Sequence, residues 1–188
     1  ILRKMHAEGL KPNEITFASV LKACCVVACL EDGRWIHSLI IDSGLGSDVF
    51  VGSGLIDMYA KCGNLEDACV VMESLPEQDL VTWNALIEGY AQYEQGDGAM
   101  NCFKQMKYEG VSPDALTFAY ILRACAGLGA IDEGREIHDE IKRNAIEDHH
   151  IIVGNALVDM YAKCGFLFEA YELFHGLKSR DIVSWNAL

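Results

Sequence analysis

Several residues in this sequence are of types that could do catalytic or metal chemistry, so we first compare their spacing with known sites. His138 and Glu140 form half of the zinc deaminase signature, but the Pro-Cys-x-x-Cys that would complete that metal site is missing. The eight cysteines include no Cys-x-x-Cys pair. No nucleophile elbow, phosphate-binding loop or Ser/His/Asp grouping occurs. The sequence therefore predicts no enzyme, no metal site and no cofactor.

A second set of polar side chains recurs at matched positions along the chain. Short polar residues are followed, at the end of the same segment, by an acid: Ser53 by Asp79, Asn84 by Asp114, and Asn155 by Asp181. Asn can donate and accept hydrogen bonds, whereas an ionised Asp only accepts them, so such a pair can discriminate between polar ligand edges. A single Asn near a helix start is often only a cap or a surface residue, but recurrence in register favours repeated binding subsites.

These pairs belong to a tandem repeat. The stretch Asp57-Met58-Tyr59-Ala60-Lys61-Cys62-Gly63 returns 102 positions later, beginning at Asp159. Within that long period, a helix-opening pattern recurs at intervals of 35, 31, 35, 36 and 31 residues, and it begins at Glu14, Val49, Leu80, Ala115, Ile151 and Ile182. Each interval is long enough for two short helices, and such a unit buries its apolar face only against its neighbours.

Apolar spacing predicts helices throughout. One helix face is predicted to carry apolar residues at helical spacing, namely Val153, Ala156, Leu157, Met160, Tyr161 and Cys164, and the opposite stripe to carry Asn155, Asp159 and Lys163. Asn64, three residues before Asp67, predicts an N-cap, and Gly9 and Gly110 predict helix C-caps. No strand is needed, so the sequence predicts an all-α solenoid with first helices lining an inner surface and second helices an outer one.

Composition agrees with this architecture. The chain has 188 residues, 51% of them hydrophobic, and a formal net charge of −13. It has no apolar run of membrane-spanning length, and it opens with neither a signal peptide nor a starting Met. It begins and ends inside a repeat, which indicates a piece of a longer protein. Cys24, Cys62, Cys125 and Cys164 recur on apolar helix faces, which predicts small buried thiols.

The stretch Val-x-Trp-Asn-Ala-Leu-Ile-x-Gly-Tyr at Val81 to Tyr90 resembles the pentatricopeptide repeat. The three unit lengths are similar to the plant subclass that alternates standard (P), long (L) and short (S) motifs, and Met-Tyr-Ala-Lys-Cys-Gly is similar to a signature of the short motif. The tetratricopeptide repeat, a helical repeat of similar size, lacks the Trp-Asn-Ala-Leu opening. The resemblance covers the whole chain.

The resemblance implies a right-handed α-solenoid of helix-turn-helix repeats in a single array. Its predicted divisions are the end of a P repeat (1–13), an L repeat (14–48), an S repeat (49–79), a P repeat (80–114), an L repeat (115–150), an S repeat (151–181) and the start of a P repeat (182–188).

The resemblance also implies sequence-specific binding of single-stranded RNA, one base per repeat, because one helical repeat can present two or three side chains to a base edge. The fifth and last residues of each unit are then the base readers: Ser53, Asp79, Asn84, Asp114, Asn155, Asp181 and Asn186. In the family, a hydroxyl residue with a final Asp favours G, and Asn with a final Asp favours U.

When these family preferences are applied to this sequence, Ser53 with Asp79 is expected to read G. Asn84 with Asp114 and Asn155 with Asp181 are expected to read U. The two long units are assigned no base, because Ala18 and Ala119 cannot hydrogen-bond a base and His150 is not an acid. The predicted footprint is any base, G, U, any base, U.

Second-position residues are apolar in every unit. Ile15 and Leu116 belong to the long units, and the other four are expected to sandwich bases: Phe50, Val81, Ile152 and Val183. Packing between neighbouring helices is an equal alternative for these positions. Tyr59, Tyr90 and Tyr161 are expected to pack in the core rather than to stack on bases.

The acidic balance opposes RNA binding, since phosphate contacts require Lys and Arg. The acids concentrate in the second helices, however, and the phosphate groove is predicted to carry Lys22, Lys61, Arg123 and Lys163. A helical scaffold that binds a protein partner is the alternative function, because concave solenoid surfaces also accept peptides.

The remaining expectations follow from the family resemblance alone. They are a role in processing or C-to-U editing of organellar transcripts, a chloroplast or mitochondrial location, and RNA-editing accessory proteins as further partners. Editing chemistry would lie in another domain or a partner. The truncated ends of the array are expected to favour self-association.

Overall fold

The structure is a computed structural model that describes residues 2–144 and 150–188. Within these ranges the regular structure is entirely helical, so the all-α prediction is confirmed there. The helices are α1 (Leu2–Ala7), α2 (Glu14–Val27), α3 (Leu30–Asp42), α4 (Val49–Lys61), α5 (Leu65–Ser74), α6 (Leu80–Gln92), α7 (Gly96–Tyr108), α8 (Ala115–Leu128), α9 (Ile131–Arg143), α10 (Ile151–Lys163), α11 (Leu167–Gly176) and α12 (Ile182–Ala187).

Six helices begin at the six residues where the repeating pattern predicts a helix start. They are α2, α4, α6, α8, α10 and α12. The division of the helix pairs into P, L and S repeats stays a prediction. Ile1 and residues 145–149, the latter near the end of the predicted repeat 115–150, lie outside the described residues.

The chain divides into two compact units, Ile1–Gly89 and Tyr90–Leu188. In the first unit, α4 packs against both α2 and α5. Its fully buried side chains include Phe17 and Leu21 from α2 and Ile56 from α4. Full burial of one such large apolar side chain contributes roughly 1.5–3 kcal/mol.

The second unit repeats this arrangement. There α10 packs against α8 and α11, and α7 packs against α8. Phe118 and Leu122 of α8 and Leu157 of α10 are fully buried. Since α8 and α10 carry the same apolar spacing as α2 and α4, equivalent sequence stretches build equivalent cores in the two units.

The three helix caps predicted from the sequence are present. The Asn64 side chain accepts a hydrogen bond of 3.1 Å from the backbone N–H of Asp67 and so caps α5. Gly9 and Gly110 have φ angles of +71° and +81°, the left-handed backbone conformation that glycine tolerates at a helix end.

Ion pairs link the second helices of successive helix pairs within each unit. Arg34 of α3 donates to Asp67 of α5 at 2.9 Å in the first unit, and Lys107 of α7 lies 2.7 Å from Glu140 of α9 in the second. Because the pairs are partly exposed, each contributes at most about 1 kcal/mol.

The cysteine prediction needs one correction. Cys24 and Cys125 are buried as expected, but Cys62 and Cys164 are only half-buried, because they are the C-cap residues of α4 and α10. Burial raises the pKa of the Cys125 thiol to about 12. This thiol is therefore protonated at neutral pH and acts as a small apolar side chain.

Two glycines in helices should respond oppositely to alanine. A Cβ on Gly89 would lie 2.7 Å from the Ala60 Cβ, whereas a Cβ on Gly127 would meet nothing within 4 Å. We expect Gly89→Ala to lower the free energy of unfolding by about 1–3 kcal/mol through overpacking. Gly127→Ala should instead raise it by up to about 1 kcal/mol through helix propensity. Urea unfolding of both variants measures the difference, and equal shifts would contradict the packing described here.

Candidate nucleic-acid interface

The last residue of a predicted unit is also the N-cap of the helix that follows. Asp48, Asp79, Asp114 and Asp181 each accept a hydrogen bond through Oδ1 from the backbone N–H three residues later, at 2.8–2.9 Å. Asn13 does the same at 3.0 Å. This bond fixes each side chain at the same place relative to the next helix. Capping therefore positions the last-position acids, whatever else they bind.

His150 departs from that pattern, as the sequence suggested. It is the N-cap residue of α10, yet its side chain makes no capping hydrogen bond. Its unit also carries Ala119 at the fifth position. The structure thus gives this long unit neither a capping acid nor a polar fifth residue.

The fifth-position residues have different surroundings. Ser53 is half-buried, and its hydroxyl donates to the Val49 carbonyl of its own helix at 2.7 Å. Asn84 is half-buried and Asn186 is exposed. Asn155 is only 7% exposed, although it shares a helix stripe with Asp159 and the exposed Lys163.

Asn155 is buried because its amide belongs to a hydrogen-bonded network. Its Nδ2 donates to Asp181 Oδ1 at 3.2 Å, and its Oδ1 accepts from the Ser184 hydroxyl at 2.6 Å. The Ser184 hydroxyl also accepts from the backbone N–H of Asp181 at 3.1 Å. The structure thus brings together one predicted reader pair, Asn155 with Asp181, and adds Ser184, which the sequence reasoning missed.

Hydrogen bonds to its ionised form keep Asp181 charged. The backbone N–H of Ser184 first, and then the side chains of Ser184 and Asn155, hold the pKa of Asp181 below its ordinary value. At neutral pH the carboxylate therefore only accepts hydrogen bonds. A fixed acceptor next to an amide can distinguish ligands by the order of their donors and acceptors.

The apolar second-position residues are exposed. In the first unit, Ile15, Phe50 and Val81 are 70%, 61% and 59% exposed. In the second unit the corresponding residues are 42%, 41% and 54% exposed, and they are Leu116, Ile152 and Val183. Packing between neighbouring helices was the alternative interpretation of these positions. It does not account for such exposure, because packed side chains would be covered by the neighbouring helix. Each unit therefore presents apolar side chains to solvent in the first turn of its first helices, one turn before the fifth position.

The four predicted groove cations fall into two kinds. Lys61 lies 2.8 Å from Asp57, and Lys163 lies 2.8 Å from Asp159, both as i,i+4 pairs within a helix. Lys22 and Arg123 are exposed. Because Asp57 and Asp159 offset two of the four charges, Lys22 and Arg123 are the stronger candidates for phosphate contact.

The residues considered first for catalysis are occupied in packing and ion pairs. His138 is 5% exposed, and its Nδ1 lies 3.0 Å from the Tyr161 hydroxyl, while Glu140 pairs with Lys107. The first unit repeats the contact between His37 and Tyr59 at 2.9 Å. Tyr59 and Tyr161 are buried as expected, and Tyr90 is half-buried.

Neither a metal-binding cluster nor a membrane-spanning helix is found in residues 2–144 and 150–188. No group of three or more His, Cys, Asp or Glu residues there could hold a metal ion. In the same ranges no helix is long and apolar enough to cross a membrane.

Known protein families match this chain. The profile described as "PPR repeat family" matches residues 78–127, and that described as "PPR repeat" matches residues 53–80 and 155–182. Together they cover more than half of the chain.

Two relatives from Arabidopsis thaliana illustrate the similarity. A chloroplastic pentatricopeptide repeat-containing protein is 41% identical over 177 residues, which is 94% of this chain and 28% of that protein. A mitochondrial one is 40% identical over 188 residues, which is 100% of this chain and 29% of that protein. The chain thus spans less than a third of the length of these relatives.

Solved structures agree on the fold. The pentatricopeptide repeat protein PPR10 in complex with an 18-nt psaJ RNA element has a TM-score of 0.76 at 22% identity, covering 92% of this chain and 26% of that chain. A second structure, of PPR10 from maize, has a TM-score of 0.72 at 23% identity, covering 99% of this chain and 28% of that chain. The predicted α-solenoid fold class is confirmed, and the chain belongs to the pentatricopeptide repeat family.

Proposed function

We propose that this chain binds single-stranded RNA in a sequence-specific way, with one base per repeat. The observation that carries the proposal is the exposure of the apolar second-position residues, which are 41% to 70% exposed. Single exposed apolar residues are common on protein surfaces, but here the exposure recurs at the same position at the start of six helices, which indicates a repeated contact surface. Flat nucleobases are suitable partners, because every base has an apolar face.

The reader chemistry in the unit of residues 151–181 suits a uracil. The Asp181 carboxylate is an acceptor, and it would attract the N3–H donor of uracil but repel the N3 lone pair of cytosine. The Asn155 amide has a second N–H to offer a carbonyl oxygen of the same base. This pair therefore supports the U assignment by hydrogen-bond pattern as well as by family resemblance.

The other assignments rest on the sequence. Ser53 and Asp79 lie in the first unit and are assigned G, whereas Asn84 and Asp114 lie in different units and are assigned U by resemblance alone. Asn186 is the fifth-position residue of a further repeat. The proposed footprint remains any base, G, U, any base, U.

The biological role is proposed from the relatives. Several of them are chloroplastic or mitochondrial proteins by name, and one similar structure holds an RNA element. We infer that this chain contributes to a protein that specifies organellar transcripts for processing or C-to-U editing, in which the P, L and S repeats alternate. Accessory editing proteins are proposed as further partners, and any editing chemistry is assigned to another domain or to a partner.

A binding titration tests this proposal against a protein-binding scaffold. Fluorescence anisotropy would measure the affinity of the chain for two short RNAs. One carries the footprint, and in the other the last U of the footprint is replaced by C. We expect the U-containing RNA to bind about fivefold to a hundredfold more tightly, since a good base contact discriminates by about 1–3 kcal/mol. No binding of either RNA would favour the protein scaffold, and equal salt-sensitive binding would leave only a non-specific groove.

A further inference from the structure

We propose that Ser184 is a positioning residue for base recognition in the preceding repeat. Its buried hydroxyl fixes the orientation of the Asn155 amide, and it thereby sets the preference of the subsite in residues 151–181 for U over C. This inference rests on the proposed RNA-binding function.

The geometry gives the amide one favourable orientation. Ser184 is fully buried, and its hydroxyl lies 2.6 Å from Asn155 Oδ1 and 3.0 Å from Asp181 Oδ1. A hydroxyl donates one hydrogen at a time, and the shorter distance assigns it to Asn155. If the amide were turned over, its oxygen would face the Asp181 carboxylate, which is ionised. Ser184 and Asp181 together therefore hold the Asn155 nitrogen towards Asp181.

The fixed orientation matters because it decides what a base meets. With Nδ2 bound to Asp181, the remaining N–H of Asn155 is a donor beside an acceptor carboxylate. Uracil offers a matching carbonyl oxygen and N3–H, whereas cytosine offers an acceptor at N3. A freely turning amide would present its oxygen part of the time, and it could then accept from the cytosine amino group. Loss of the Ser184 hydroxyl should therefore weaken discrimination more than affinity.

The sequence of this chain shows an alternation that accompanies the contact between Ser184 and Asn155. Where the fifth residue is polar, the third residue of the following unit carries a hydroxyl: Ser53 precedes Thr82, Asn84 precedes Thr117, and Asn155 precedes Ser184. Where the fifth residue is Ala, the third residue of the following unit is Val: Ala18 precedes Val51, and Ala119 precedes Val153. All five of these third-position residues are fully buried. A buried hydroxyl thus occurs in this chain where the neighbouring fifth residue is polar.

Helix capping explains only one contact of the Ser184 hydroxyl. The hydroxyl accepts from the backbone N–H of Asp181 at 3.1 Å and so completes a capping box. The other half of that box, from the backbone N–H of Ser184 to Asp181 at 2.9 Å, needs no hydroxyl, just as Asp48 caps α4 through the backbone N–H of Val51. Replacing the Ser184 side chain should therefore leave the main capping bond in place, and capping does not account for the bond to Asn155.

The first unit offers a matched control. There the Thr82 hydroxyl donates to the Asp79 carbonyl at 2.8 Å, and the Ser53 hydroxyl donates to the Val49 carbonyl. Thr82 thus occupies the same position as Ser184, but its hydroxyl is directed to the backbone. Thr82→Val should leave base preference at the Ser53 subsite unchanged.

The test compares Ser184→Ala, Ser184→Thr and Thr82→Val with the wild-type chain. Each protein is titrated with the footprint RNA and with RNA carrying C in place of the last U. Thr82→Val and wild type are also titrated with RNA carrying A in place of the G, and circular dichroism verifies folding. We expect the U-to-C affinity ratio to fall about fivefold in Ser184→Ala, because one buried hydrogen bond is worth about 1 kcal/mol. Ser184→Thr should retain the ratio, since the Thr117 hydroxyl makes the same two contacts with Asp114 that Ser184 makes with Asp181.

The outcomes separate the two proposals. If wild type does not distinguish U from C, the proposed function fails, and the role of Ser184 fails with it. If wild type discriminates but Ser184→Ala keeps the full ratio, or loses affinity equally for both RNAs, only the positioning role is overturned. A measurement without RNA adds a second readout: solvent exchange of the Asn155 side-chain amide hydrogens by NMR should become faster in Ser184→Ala and stay slow in Ser184→Thr.

Discussion

Replacing Phe50 and Val81 together with alanine is expected to weaken binding of the footprint RNA about thirtyfold. The two side chains are 61% and 59% exposed, so in the free protein they contribute little to the core. If each covers the face of one base, its loss should cost about 1 kcal/mol, and the two losses add to about 2 kcal/mol. Gel-shift or anisotropy titrations at fixed salt would measure this change.

The matched control for that variant is Val26→Ala with Val70→Ala. These valines lie in the same unit and are 84% and 63% exposed, but neither is at a second position. Both double variants should unfold within about 0.5 kcal/mol of wild type, because exposed substitutions rarely cost more. Similar RNA affinities for the two variants would show that second positions have no special role.

Exchanging the fifth-position residues should exchange the preferred bases. Asn155→Ser is expected to move the preference at the fifth place of the footprint from U towards G, and Ser53→Asn to move the preference at its second place from G towards U. Each change should alter the ratio of affinities about fivefold to a hundredfold, since reader contacts discriminate by about 1–3 kcal/mol.

The parts of the fold that could be predicted are those set by local sequence. Helix starts follow from a capping residue and apolar spacing, so the first helices begin where the pattern predicted them. The left-handed turns at Gly9 and Gly110 are equally local. Asp79, Asp114 and Asp181 were predicted as base readers, and the N-cap hydrogen bonds that they accept follow from the same acceptor chemistry.

Burial was harder to predict because it depends on neighbours distant in sequence. Phe50 and Val81 suit packing and base contact equally well on a helical wheel, and only the arrangement of surrounding helices shows that they are exposed. Asn155 was placed on a polar stripe, but residues from the next repeat bury it. The bond from Ser184 joins positions 29 residues apart, and its only sequence signal was the alternation of hydroxyl and valine at third positions.

Part of the ion pairing of the predicted phosphate-contact cations could be predicted from the sequence. The pairs Asp57 with Lys61 and Asp159 with Lys163 have the i,i+4 spacing that predicts a helical ion pair. Both pairs form in the structure. Two of the four cations predicted as phosphate contacts therefore have their charge offset by an acid one turn away.

The most direct test of the central claim is a competition binding measurement on Asn155→Ser. Two labelled RNAs, which differ only in U or G at the base assigned to residues 151–181, compete for the wild-type chain and for the variant, with circular dichroism to verify folding. We expect wild type to prefer the RNA with U and the variant to shift its preference towards the RNA with G. An unchanged preference in a folded variant would contradict base reading by the fifth residue of the repeat.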